Sequence, residues 1–346
     1  MRRPSFVFYI VVGLISAYII TACVISRRTT PLEAQVSGMG NESADGKHGS
    51  GQRQPGDTGP RRVAETPGIE QEGPAEKTKA EGFTGRQVLS AMQAAYPDRI
   101  LEVAHRKGDW ALRIDDTWFY WAGGRLLPEK VLDKMDSYDP YPFYRYPKEL
   151  PPLEGLTEEE KKEIRERLKK READPSSRHP GFYKALWRID DRSTSWDRVK
   201  TIYFLGIKTQ IHRDLLEDLA QVEEEILRKA AEDWELARFV DSLVDLAGYN
   251  WRRIAGTASL SFHSFGTALD ILPQSYEGKQ AYWRWAKSSY TDWFVLPYAE
   301  RYYVPPAFVE AFEERGFIWG GKWFYFDNIH FEYRPEILIL NGFKPD

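Results

Sequence analysis

The chain has 346 residues, long enough for two average domains or for one domain with added segments. Its hydrophobic and charged fractions, 42% and 29%, are those of a globular protein, and a net charge of −4 leaves no basic footprint, which excludes nucleic acid as an expected partner. A single cysteine, Cys23, excludes an intramolecular disulfide and a Cys-based zinc site, so any metal must be held by carboxylates and by some of the six histidines.

Residues 5–26 carry no charge and are bracketed by Arg2-Arg3 and Arg27-Arg28. At helical rise this stretch spans roughly 33 Å, enough for a bilayer core. A basic start before an apolar stretch reads equally as a secretory signal. Within it, Ile20-Thr21-Ala22-Cys23 resembles the lipobox of bacterial lipoproteins, which implies cleavage and lipidation at Cys23. Residues 1–28 are therefore expected to be a signal peptide with a lipidated cysteine or an uncleaved membrane anchor. Both place the remainder at the extracytoplasmic face of the cell envelope, tethered to the membrane. Residues 29–82 are dominated by Gly, Pro, Ser, Glu, Gln and Lys, too poor in apolar surface to offset the entropy of ordering, and read as a disordered tether. His48 lies inside it as a bystander.

Composition changes at Phe83. A short helix is expected over 85–96, then strands over 100–104, 110–114 and 117–121, with Asp115-Asp116 as a hairpin turn. Residues 83–135 thus form a small α+β unit with no role legible from its residues. Residues 136–176 form a connector rich in Tyr and Pro, followed by a charged helix. Thr157 and Glu160 make a capping box for that helix, and its charge run reads as a solvated face. Residues 177–346 form the last domain. A long helix is expected there from about His212 to Ala231, with Leu215, Leu216, Leu219, Val222, Ile226 and Leu227 along one stripe. His105, His179 and His212 have no His or carboxylate at ligand spacing and read as structural.

Chemistry concentrates between Tyr249 and Pro335. A catalytic zinc takes three protein ligands and keeps a fourth position for water. His263 and Asp270 flank a Ser-Phe-Gly turn leading into a buried strand around Leu269-Asp270-Ile271; His330 follows on a second strand, 328–333, and Asp327 stands where the chain enters it. On spacing alone, a structural role for His-x6-Asp remains the commoner outcome.

The motifs carry the reading further. Ser261-x-His263-x-x-Gly266-x-Ala268-x-Asp270 resembles the signature of the zinc D-alanyl-D-alanine carboxypeptidase family. Asp327-x-x-His330-Phe331-Glu332 is similar to its endolysin-type branch, the L-alanyl-D-glutamate peptidases, because carboxypeptidase members usually carry Glu where Asp327 stands. The block from Tyr249 through Arg252 to Gly256-Thr257 is also similar to the family. The resemblance implies zinc bound by His263, Asp270 and His330, with Asp327 as general base to a zinc-activated water. It further implies Arg252 as partner of a substrate carboxylate or oxyanion. Arg253 competes for that role, since neighbours on an extended segment point to opposite faces. Ser261 and Glu332 are expected to orient ligands, and Trp323, with Trp319 and Tyr325, to wall the cleft.

The fold expected is α+β, a small antiparallel sheet with flanking helices carrying a single zinc site, preceded by the small α+β unit and the tether. The activity expected is hydrolysis of peptidoglycan stem peptides, as a D-Ala-D-Ala carboxypeptidase or an L-Ala-D-Glu type endopeptidase. The alternative is a non-catalytic envelope module that binds peptidoglycan or protein on the same fold, which Hedgehog signalling domains share. Retention of all three ligands and the base separates the two readings.

Overall fold

The computed structural model describes residues 82–153 and 155–345. The leader, Cys23, His48 and the tether lie outside the described residues.

Local signals start the helices. Thr84 and Gln87 cap each other's backbone N–H groups at the start of α1 (Gly85–Ala95), which buries Val88, Leu89 and Met92. Four strands follow as an antiparallel meander: β1 (Ile100–Arg106), β2 (Asp109–Ile114), β3 (Thr117–Tyr120) and β4 (Leu127–Pro128). Asp115, with φ of 49°, forms the expected turn between β2 and β3. A 3₁₀ segment over Glu129–Ser137 leads into an irregular stretch, as its composition predicts. That stretch nonetheless packs inward, burying Tyr144 and Tyr146 against Ile318, Ile337 and Leu338.

The charged helix, α2 (Glu158–Ala173), begins at the Thr157–Glu160 capping box. Its face is not simply solvated. Ile164 is buried beside Trp293, with Leu168 packed against the same cluster, and Arg165 reaches Asp292 at 2.6 Å. After α3 (Gly181–Trp187), β5 (Val199–Phe204) and β6 (Ile207–His212) form a two-stranded antiparallel ribbon that the sequence reading did not identify.

The expected helix from 212 is shorter, α4 (Leu216–Ala230), because His212 still pairs with Val199 in the ribbon. His212 is structural. Its Nδ1 accepts from the Asp214 N–H at 3.2 Å, and its Nε2 lies 3.0 Å from the Trp187 carbonyl. Leu227 stands 51% exposed, since the buried stripe runs through Leu219, Val222 and Ile226 and the next residue turns about 100° away.

The remaining elements are α5 (Trp234–Ser242), β7 (Leu243–Ala247), β8 (Ala268–Pro273), α6 (Trp283–Ser289), α7 (Pro306–Glu313), β9 (Phe317–Trp319), β10 (His330–Tyr333) and α8 (Pro335–Leu340). The second sheet is antiparallel, in the order β7-β8-β10-β9. This is the mixed helix and small-sheet fold expected. One hydrophobic core runs from Val88 and Met92 of α1 through Leu112 and Phe182 to Phe312 and Phe331, so residues 83–135 share their interior with the C-terminal sheet. Among the described residues no helix is long and apolar enough to cross a membrane.

Candidate metal centre and cleft

Sheet register brings the site together. β8 and β10 pair so that Asp270 stands directly opposite His330, and side chains paired in this way project from the same face. His263 arrives from a 3₁₀ turn over Phe262–Phe265. Ser261 caps that turn by accepting the His263 N–H at 3.3 Å, so its hydroxyl shapes the ligand loop. Gly266 ends the turn at φ 66°, where an added Cβ would meet the His212 backbone nitrogen at 2.9 Å.

The three ligand candidates are buried or nearly so, and one donor atom from each lies within 4.8 Å of the others. His263 Nε2 is 3.1 Å from Asp270 Oδ1 and 3.3 Å from His330 Nδ1, and the last two atoms are 2.7 Å apart. A tetrahedral zinc with bonds of about 2.0–2.1 Å sets its ligand atoms roughly 3.3 Å apart. The triangle has the right size.

Its chemistry also asks for a cation. His263 Nδ1 sits 2.6 Å from the Gly248 carbonyl, and His330 Nε2 sits 3.3 Å from Glu332 Oε2. Each outer nitrogen faces an acceptor and must donate, so each inner nitrogen turns a lone pair toward the other and toward the Asp270 carboxylate. Three acceptors this close are stable only around a proton or a metal. In the protein without metal, burial opposes charge on His330, but the hydrogen bonds to Asp270 and Glu332 prevail and raise it to about 10. Burial likewise pushes Asp270 up, while the charge and hydrogen bond of His263 and the hydrogen bond of His330 hold it well below the usual carboxylate range. The residues fit a zinc ion.

Asp327 is fixed by backbone contacts on two sides. Its N–H donates to the Gly320 carbonyl at 2.9 Å, and it forms an isolated antiparallel bridge with Tyr282. Oδ1 is buried and has no hydrogen-bond partner among the described residues. Burial raises the carboxyl, the charge of His330 lowers it and that of Asp270 raises it again, leaving it at about 7. A carboxyl poised there can accept a proton near neutral pH and give it back.

Asp270, His330 and Asp327 open into a cavity of about 410 Å³. Arg252 lines it and Arg253 does not: Arg253 bridges to Leu260, while the Arg252 backbone is held by Ser264, whose hydroxyl donates to its carbonyl at 2.7 Å. Trp323 and Tyr325 line the cavity, with Trp323 against the His330 ring at 5.5 Å between centroids. Trp319 is buried and donates through Nε1 to the Asn328 carbonyl. Glu332 is buried with one oxygen on His330 and the other on Arg334, so it supports the ligand from behind.

Sequence reasoning missed several contributors. The Gly248 carbonyl that orients His263 carries no side-chain signal. Tyr282, Trp283 and Arg284 form a wall of the cavity, and Leu168, Arg171 and Glu172 of α2 form another. The spacing of the last three, i, i+3 and i+4, puts them on one helix face and was the available clue.

Residues 255–333 match the family described as D-alanyl-D-alanine carboxypeptidase, the family that the motifs resemble. The match spans His263, Asp270, Asp327 and His330 and begins three residues after Arg252. Residues 88–143 match a family described as a domain of unknown function, DUF8518. No curated protein and no solved structure matches the chain. The C-terminal part of this protein therefore carries a peptidase-family segment, and its His-Asp-His cluster falls inside it.

Proposed function

We propose that the chain is a zinc-dependent peptidase that hydrolyses peptidoglycan stem peptides outside the cytoplasmic membrane. The observation that carries this reading is the juxtaposition, in one cleft, of a three-acceptor cluster and a carboxyl poised near neutrality. His263, Asp270 and His330 would hold the ion, which when bound supplies Lewis-acid polarisation of the scissile carbonyl and acidifies water. Asp327 takes the proton of the attacking water and returns it to the leaving amine. Arg252, with its planar fork of donors, holds a substrate carboxylate or the developing oxyanion. Tyr282, Trp283 and Trp323 supply aromatic walls that exclude water from the peptide. An aspartate at 327, where carboxypeptidases usually carry glutamate, supports an endopeptidase of the L-Ala-D-Glu type. The apolar leader or lipobox of residues 1–28 supports an envelope address, where such substrates lie.

The test uses the full-length chain, its metal content measured, incubated with a set of defined muropeptides whose products are read by mass spectrometry. The expected result is about one zinc per chain and released stem-peptide fragments, with zinc and cleavage both lost in His263→Ala, Asp270→Ala and His330→Ala. A zinc-loaded wild type that cuts no muropeptide would overturn the peptidase reading in favour of a binding module.

A further inference from the structure

Behind the metal cluster lies a buried chain of charges that the mechanism above does not use. β10 and the start of α8 read His330-x-Glu332-x-Arg334-x-Glu336, alternate residues of one short segment. Glu332 places Oε2 on His330 Nε2 and Oε1 within 3.4 Å of Arg334 Nη1. The Arg334 Nε donates to Glu336, and Nη2 reaches the Pro142 carbonyl at 3.3 Å. The Tyr96 hydroxyl, just past the end of α1, donates to the second Glu336 oxygen at 2.9 Å. Arg334 is 1% exposed and Glu336 is fully buried. The guanidinium also lies 4.9 Å above the Phe262 ring, beside the ligand loop.

We infer that the segment 88–143 completes the metal site: Tyr96 and the Pro142 carbonyl terminate this network, and Tyr96, Glu336 and Arg334 act as positioning residues for His330. The inference rests on the reading of His330 as a zinc ligand. Two carboxylates and one guanidinium are enclosed together, and such a group holds its geometry only while each lone pair and each N–H has a partner. Arg334 is shared between Glu332 and Glu336. The Tyr96 hydroxyl satisfies the outer oxygen of Glu336, and the Pro142 carbonyl takes an N–H from Nη2, the guanidinium nitrogen that neither carboxylate holds. Deleting the hydroxyl leaves a buried carboxylate oxygen bare, and Glu336 then draws Arg334 toward itself and away from Glu332. Glu332 is freed to turn from His330, which loses the contact fixing its tautomer. Burial and the Glu336 charge both push the Tyr96 phenol well above its ordinary range, so it stays protonated and able to donate. Both terminal partners fall within the 88–143 match, and they bond Glu336 and Arg334, which follow directly on the end of the 255–333 match and of β10, so one family segment buttresses the strand that closes the other.

Zinc dissociation constants, measured by chelator competition on the full-length chain, test this together with the visible spectrum of the cobalt-substituted protein. Tyr96→Phe, which removes one oxygen, is expected to weaken zinc about tenfold and to shift the cobalt bands, with kcat lowered at saturating zinc and KM unchanged. Tyr183→Phe is the control. Its hydroxyl is also buried but has no hydrogen-bond partner among the described residues, and zinc affinity should stay at the wild-type value. If Tyr96→Phe does not accumulate folded, Arg334→Lys, which keeps the charge and loses the fork, carries the same expectation. Wild-type affinity and an unchanged cobalt spectrum in whichever variant folds overturn the inference and leave the peptidase reading intact. A wild-type chain that binds no zinc overturns both.

Discussion

Replacing Asp327 with asparagine is expected to make the metal-free protein more stable while removing its activity. Asn has nearly the same shape and carries no charge. The carboxyl of Asp327 moves from an ordinary value of 3.8 to about 7 on folding, chiefly through burial. At about 1.36 kcal/mol per pKa unit, this corresponds to at most about 4 kcal/mol, an upper bound because the residue is only half-buried and water screens part of the charge. The sign follows from linkage. The folded state holds this proton more tightly than the unfolded chain, so stability falls as pH rises from about 4 to about 7, and the whole cost is present above that window. Urea unfolding of wild type and Asp327→Asn, both stripped with chelator, at about pH 4 and about pH 8, measures the effect. The stability difference should be small at the acid pH and favour the variant by a few kcal/mol at the alkaline one, while the zinc-loaded variant keeps its metal and cuts no muropeptide. A gap independent of pH would refute the reasoning, and full activity would remove Asp327 as the base.

Two further substitutions probe the supports of the site. In Gly248→Ala the new Cβ would lie 2.0 Å from the Gln210 carbonyl oxygen, so the backbone must shift and carry its own carbonyl away from His263 Nδ1. The expected cost is about 1–3 kcal/mol in urea unfolding, with zinc lost more readily to a chelator; wild-type behaviour in both assays would remove this carbonyl as an orienting group. Lys322→Met strips the ammonium that lies 2.6 Å from Glu313, inside a pocket where the two residues are 8% and 6% exposed. It leaves a buried carboxylate facing only Tyr146, and about 3–5 kcal/mol should be lost without change in zinc stoichiometry; a loss under about 1 kcal/mol would mean that water reaches Glu313.

What was legible in the sequence, and what was not, follows from how local each interaction is. The capping box at Thr157 and the Asp115 turn are decided within four residues, and the chain displays them openly. The metal cluster spans 68 positions, yet few histidines and a demanding ligand chemistry narrowed the choice, and the register of β8 with β10 brings two of the three side by side. The β5–β6 ribbon was hidden for the opposite reason. Its two turn residues, Leu205 and Gly206, both adopt positive φ, but leucine is not a residue that announces such a turn. The charge density of α2 concealed the face formed by Leu168, Arg171 and Glu172, because a solvated helix and a helix that walls a cleft need the same exposed side. Least legible was the row His330, Glu332, Arg334, Glu336. Arg334 and Glu336 follow the strand into α8 with no local mark of burial, and a network with three members almost wholly enclosed is tolerable only once Tyr96 arrives from 240 residues away. That dependence leaves no periodic mark in either segment. It also gives a physical reason for the N-terminal unit and the C-terminal sheet to share one core: Arg334 and Glu336, buried where β10 passes into α8, take their outer partners from Pro142 and Tyr96.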